Sequence, residues 1–183
     1  MLNGSGIGVT LFLSGCEHHC KGCQNPITWN INDGLEFDGS AMEEIFDELD
    51  NDWCNHLTVS GGDPLHHENR KEVLNLLAKV KSRYPSKKIW LYTGYTWEEL
   101  DKDNVRGSVI RTILLNIDVL VDGRFIKELS DIHYKWAGST NQRVIDAKES
   151  LKEGRVILWK SSGFENSGNE ENSSSPAPCC EGL

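Results

Sequence analysis

Cys16, Cys20 and Cys23 fall within one eight-residue stretch, CEHHCKGC, and only Ser14 and Gly15 separate it from the apolar run Ile7–Leu13. That run, IGVTLFL, is rich in β-branched and large apolar side chains and follows a glycine-punctuated turn, so it reads as a buried strand. A thiol-rich loop joined directly to a strand narrows the choice of fold. It puts the chemistry at a strand's C-terminal end, the edge where open α/β sheets and barrels carry their sites.

Thiolates are the soft ligands that zinc and iron–sulfur clusters select, and close spacing lets one loop wrap one inorganic centre. Two centres remain open on spacing alone. A 4Fe–4S cluster takes one ligand per iron, so three cysteines leave one iron free for a substrate or cofactor, as catalytic metal sites keep an open position. A structural zinc ion needs a fourth ligand, for which His18, His19 and Cys54 are the candidates. A disulfide framework is disfavoured because nothing in the sequence points to secretion.

The 183 residues suffice for one domain with a core that needs no disulfides. A net charge of -9 without a basic stripe argues against a nucleic-acid partner. Met1–Gly6 lacks the basic head of a targeting segment, and Ile7–Leu13 is too short for a membrane span. A cytoplasmic location without a membrane partner is the expectation.

Strands are expected at Ile7–Leu13, His56–Ser60, Lys88–Thr93, Ile117–Val121 and Val156–Trp159, with Val144 and Ile145 continuing the apolar pattern. Helical periodicity begins at Asp38, with Ser40 and Glu43 as a capping box and Met42, Ile45, Phe46 and Leu49 as the apolar stripe. Further helices are expected over Glu68–Tyr84, Trp97–Leu100, Val109–Leu115 and Asp146–Lys152. This alternation implies right-handed βαβ units and an α/β fold with a mainly parallel sheet. The domain is expected to end at residue 160. Ser161–Leu183 is polar and has little to bury against the ordering cost, so it reads as a disordered tail, with Cys179 and Cys180 as exposed thiols.

A second constellation lies at the other strand ends. Gly61-Gly62-Asp63-Pro64 follows the second strand, and Thr93-Gly94 follows the third. Each can be a plain βα turn. Together with the cysteine loop they line one edge of a parallel sheet, where glycines let the backbone approach a ligand and Asp63 can meet a donor group. His18, His19, His66 and His67 lie near these loops and read as polar surface or supporting residues. Cys54 reads as a small buried hydrophobe, and Trp29, Trp90, Trp136 and Trp159 as core or rim aromatics.

These segments resemble a known family. The C-x3-C-x2-C loop with a Gly-Gly-acid turn resembles the radical S-adenosylmethionine (SAM) enzymes. LFLSGCEHHCKGCQNPITW (Leu11–Trp29), SGGDPL (Ser60–Leu65), WLYTGYTWEEL (Trp90–Leu100), DVLVDGRF (Asp118–Phe125) and WAGSTNQRVID (Trp136–Asp146) are similar to the activating enzymes of anaerobic (class III) ribonucleoside-triphosphate reductases. The resemblance covers Asn3 to Trp159. It implies a partial (β/α) barrel of the radical SAM type, with Cys16, Cys20 and Cys23 ligating a 4Fe–4S cluster. It implies that Gly22, Cys23 and Gln24 border the nucleoside of SAM, that Gly61, Gly62, Asp63 and Pro64 hold its methionine end, and that Thr93 and Gly94 lie against it.

The implied reaction is reductive SAM cleavage, the 5′-deoxyadenosyl radical then generating a glycyl radical near the C-terminus of the reductase. A flavodoxin-like or other low-potential protein would donate the electron. Trp136, Phe125 and Asn141–Arg143 are candidates for the rim on which the reductase docks. The chain departs from the family by a short lead-in before Asn3 and by Gly8 and Ala137 where the family carries arginine. Other readings are a different glycyl-radical activase, a small radical SAM enzyme acting on a metabolite, and a non-catalytic zinc-stabilised binding module.

Overall fold

A computed structural model describes residues 3–102 and 108–160. The expected tail, with Cys179 and Cys180, lies outside the described residues. Five strands form one sheet in chain order: β1 (Gly8–Leu13), β2 (His56–Gly61), β3 (Lys88–Tyr92), β4 (Val119–Asp122) and β5 (Arg143–Asp146). β1 to β4 pair in parallel and β5 runs antiparallel to β4. The helices are α1 (Gly39–Leu49), α2 (Arg70–Arg83), α3 (Trp97–Lys102), α4 (Val109–Asn116) and α5 (Ala147–Glu153).

Right-handed crossovers between strands in simple sequential order deliver every helix to the same face of the sheet. Alternate strand residues accordingly have different fates. Leu57, Val59, Ile89, Leu91 and Leu120 bury against Met42, Phe46, Leu76, Leu77, Ile113 and their neighbours in the main core. Trp90, Val119 and Val121 point to the other face, covered by Ala137, Trp136, Tyr134 and Trp159 from the chain after β4. This second layer covers β3 and β4. Phe12, whose strand lies at the sheet's far side, stays half exposed.

The expectation of a mainly parallel α/β sheet holds, and the sheet does not close on itself. The sheet is open, with β1 and β5 at its two ends. Reversal of β5 ends the βα rhythm, because its connection from β4 carries only the short 3-10 turn Lys127–Leu129 and no crossover helix. β1 is an edge strand and not the buried strand expected. Val156–Trp159 forms no strand: its backbone pairing with the sheet is a single bridge between Leu158 and Ile145. The cap of α1 is Asp38, which accepts the Ala41 N–H at 2.9 Å, and not Ser40, which falls inside the helix. Cys54 is fully buried in the main core, as its isolation suggested.

Candidate functional site

The cysteine loop is folded back on itself before it meets any other element. Gly15 and Cys16 donate their N–H groups to the carbonyls of Thr28 and Trp29 at 2.8 and 3.0 Å. Within the loop the Cys23 N–H bonds to the Cys20 carbonyl at 3.0 Å. Gly22 (φ 77°) supplies a left-handed turn between them, which a β-carbon would strain. The Gly62 and Asp63 N–H groups donate to Leu13 and Gly15 carbonyls at 2.6 and 2.7 Å, so the turn after β2 is stitched directly to the start of the loop.

The three thiols line one cavity of about 130 Å³ at the C-terminal ends of the parallel strands. Of the residues singled out in the sequence, Cys16, Cys20, Cys23, Gln24, Gly61, Gly62, Asp63, Thr93 and Gly94 all line it. Gly22 and Pro64 do not. Gly22 faces Lys127, whose side chain a Gly22 β-carbon would meet at 3.0 Å, and Pro64 is buried within its turn. Residues not foreseen for the wall include His18, Ser60, Tyr92, Gly123, Gly138 and Gln142. Ser60 and Tyr92 were legible in principle, since both alternate with the helix-facing positions of their strands.

The three sulfurs are spaced too widely for one small ion as they stand. A tetrahedral zinc with bonds of about 2.3 Å brings its sulfurs to within about 4 Å of one another. Among the described residues, the group of three His, Cys, Asp or Glu ligand atoms lying mutually within 4.8 Å is Glu17, His66 and His67, and the cysteines form no such group. Backbone donors also face the sulfurs. The Asn25 N–H reaches Cys23 Sγ at 3.4 Å. Burial pushes the Cys16 thiol up, partly offset by the N–H groups of His18 and His19. Such N–H···S bonds are a means by which proteins set cluster potential.

Asp63 organises the cavity floor. Its carboxylate, 1% exposed, accepts from Thr93 Oγ1 at 2.9 Å, the Gly94 N–H at 2.9 Å and the Leu65 N–H at 2.7 Å. His18 Nε2 completes the set at 2.7 Å. The donors around Asp63 are therefore the protein's own. The other ring nitrogen of His18 accepts from Arg124 Nε at 3.2 Å, and the ring packs edge-on against Tyr95 at 4.6 Å. The glycines have a matching role. A β-carbon on Gly62 would sit 2.5 Å from the Gly15 carbonyl oxygen, and one on Gly94 would strike the His18 ring. The space these glycines yield is occupied by the cysteine loop.

The expected rim residues are held internally. Arg143 bonds Asp122 through Nε and Nη2 at 3.0 and 2.5 Å, and forks onto Glu98 at 2.9 and 2.7 Å. Gln142 donates to the Gly123 carbonyl at 2.9 Å and accepts the Gly138 N–H at 2.9 Å, while Asn141 donates to the Arg124 carbonyl at 2.9 Å. Trp136, in the left-handed region at φ 63°, donates to the Gly4 carbonyl at 2.9 Å. Phe125 lines the cavity wall. At the two positions of missing arginine, a side chain on Gly8 would collide with the His56 ring, and Ala137 is buried in the second core layer.

Residues 2–145 match the model of the 4Fe–4S single cluster domain family. An anaerobic ribonucleoside-triphosphate reductase-activating protein of Vibrio cholerae is 43% identical over 144 residues, 78% of this chain and 89% of the relative. The protein of the same name from Escherichia coli K12 is 38% identical over 146 residues, 79% and 91% of the two chains. That of phage T4 is 40% identical over 143 residues, 78% and 86%.

The chain belongs to the anaerobic ribonucleoside-triphosphate reductase-activating protein family.

No solved structure matches it. As a member of this family it carries the 4Fe–4S domain, and Cys16, Cys20 and Cys23 lie close together in sequence within it. Among the described residues no helix is long and apolar enough to cross a membrane.

Proposed function

We propose that this chain activates an anaerobic ribonucleoside-triphosphate reductase by reductive cleavage of SAM, acting in the cytoplasm with a flavodoxin-like or other low-potential electron donor. The observation that carries the reading is that three thiols share one cavity with the glycine turns of β2 and β3. Held there by Cys16, Cys20 and Cys23, a 4Fe–4S cluster reduced by the donor protein would supply one electron for cleavage of the sulfonium C–S bond of SAM to methionine and a 5′-deoxyadenosyl radical, which would take a hydrogen atom from a glycine of the reductase.

The chain's own part is placement. Cys16, Cys20 and Cys23 hold the cluster, and the Asn25 N–H to Cys23 Sγ tempers the charge on that sulfur. Gly61, Gly62 and the backbone of Asp63 border the methionine end, Thr93 and Gly94 lie beside it, and Cys23 and Gln24 border the nucleoside. No side chain need act as general acid or base, since the cofactors carry the chemistry and the protein orients them and keeps competitors away. Phe125 gives the cavity an apolar side.

Anaerobic reconstitution with iron and sulfide tests this. The product should be brown and cleave SAM on reduction. With a reductase and SAM it should give a glycine-centred electron paramagnetic resonance signal. Cys16→Ala, Cys20→Ala and Cys23→Ala should each abolish SAM cleavage, and Cys54→Ala should not. A colourless protein that takes one zinc through the same cysteines would overturn the proposal in favour of a binding module.

A further inference from the structure

Outside the cysteine cavity, Glu17, His66 and His67 bring a carboxylate oxygen and two imidazole nitrogens within 4.8 Å of one another. We propose that these three side chains form a second metal site, for a zinc-class divalent transition ion, that ties the cysteine loop to the β2–α2 turn.

The donor set selects the metal. Hard cations such as magnesium and calcium take oxygen ligands, whereas imidazole suits zinc and its neighbours in the first transition row. Bonds of about 2.0–2.2 Å place the ligand atoms of such an ion some 3–4 Å apart, so small side-chain rotations convert the present spacing into coordination. Glu17 and His67 are exposed and His66 half-buried, which leaves water free to fill the remaining position.

Supporting contacts already orient two of the ligands, as in established metal sites. Glu17 Oε1 accepts the Tyr95 hydroxyl, leaving the second oxygen free. His67 Nε2 lies 3.2 Å from Glu68 Oε1, a carboxylate that restrains the ring. The His66 and His67 rings lie 4.3 Å apart at 37°, so adjacent residues present both nitrogens to one side. His66 Nδ1 takes only a long 3.4 Å contact from the Glu68 N–H.

The position gives the ion a structural consequence. Glu17 follows Cys16 directly, and its partner Tyr95 packs on His18, which holds Asp63. A metal across Glu17 and His66 would fasten the outer side of the loop whose inner side the Gly15 and Asp63 hydrogen bond already fastens. Metal binding to the folded chain alone adds to stability by linkage.

The test uses tag-free, cluster-loaded protein, so that the cysteines are occupied before zinc is added. After exposure to micromolar zinc and desalting, wild type should retain one zinc per chain and melt at a higher temperature. Glu17→Gln and His66→Asn should retain none, with iron and sulfide contents unchanged. Should either variant lose its cluster, His67→Asn, on an exposed side chain, serves as the replacement. Zinc retained equally by wild type and variants, as cysteine-bound zinc would be, overturns the site, and so does wild type that retains none. Failure of the cluster reading would register separately, as absent iron in wild type.

Discussion

His18 Nε2 lies 2.7 Å from Asp63 Oδ2, so a side chain between Cys16 and Cys20 is bonded to the carboxylate that holds the turns after β2 and β3. His18 thereby couples the cysteine loop to the floor of the cavity. A buried hydrogen bond to a charged group is worth about 1.5–3 kcal/mol. His18→Ala should lower stability by about that amount while leaving the three thiols able to load iron. SAM affinity should fall about tenfold, equivalent to about 1.4 kcal/mol, because Gly94 loses both the ring it packs on and a fixed Asp63. Equilibrium dialysis with labelled SAM, beside an iron count, checks this. Unchanged affinity would mean that the ring only fills space.

The glycine turns give a steric prediction. A Gly62 β-carbon would meet backbone on two sides, the Gly15 carbonyl oxygen at 2.5 Å and the Thr28 carbonyl oxygen at 3.0 Å. Neither can swing aside as a flexible side chain can. Gly62→Ala should cost about 1–3 kcal/mol by overpacking and should reduce cluster loading, because Gly15 adjoins Cys16. Gly39→Ala is the control. Nothing lies within 4 Å of its added carbon, and replacing a helical glycine stabilises by up to about 1 kcal/mol. Thermal melting and iron content of the two variants decide the matter.

Much of this site was legible in the sequence because it depends on local order. The thiols follow β1 without an intervening element, and the glycine turns follow β2 and β3, so a parallel sheet brings all of them to one edge whatever its curvature. Contacts between loops were not legible. Nothing in the spacing says that Asp63 is consumed by His18 and Thr93, or that the glycines make room for the cysteine loop, because those relationships join residues 30 and 45 apart. The direction of β5 was also hidden, because the polar–apolar–apolar–polar pattern of its four residues RVID is the same whichever way the strand runs. The half-exposed Phe12 could not be distinguished from core, since an apolar run does not reveal whether a second layer covers its far face.

His56 sets a pH dependence. It is 2% exposed and its Nε2 lies 2.8 Å from the Asn3 carbonyl oxygen. Burial lowers its pKa from the ordinary 6.5, with the Asn3 and Ser5 carbonyls opposing the shift. A histidine held below its unfolded value takes up protons more readily in the unfolded chain. Its contribution is therefore complete above pH 6.5 and is lost as pH falls through that value toward the folded pKa. Melting temperature should decline between pH 7.5 and 5.5, and the decline should be shallower in His56→Gln. Equal slopes in the two proteins would refute the assignment.

Arg143 separates a structural role from a docking one. Its guanidinium spans Asp122, which is 1% exposed, and Glu98, and Asp122 in turn accepts the Trp97 N–H at 2.7 Å at the start of α3. Removing one member of a buried ion pair costs about 3–5 kcal/mol, because the remaining charge is left without its partner. Arg143→Ala should therefore melt well below wild type. Arg143→Lys should fall between them, since an ammonium keeps the charge but cannot bridge both carboxylates with a planar fork. Glu98 is mainly exposed, so Glu98→Gln should cost under about 1 kcal/mol. The Arg143 guanidinium holds the Glu98 carboxyl down to about 2 from its ordinary 4.5, so this pair stabilises fully above pH 4.5 and is lost as pH falls toward 2. Acid unfolding of Glu98→Gln should thus show a weaker dependence over that interval. If Arg143→Ala instead melts like wild type and loses only its capacity to activate the reductase, the residue belongs to the docking rim, and the ion-pair role assigned to it fails.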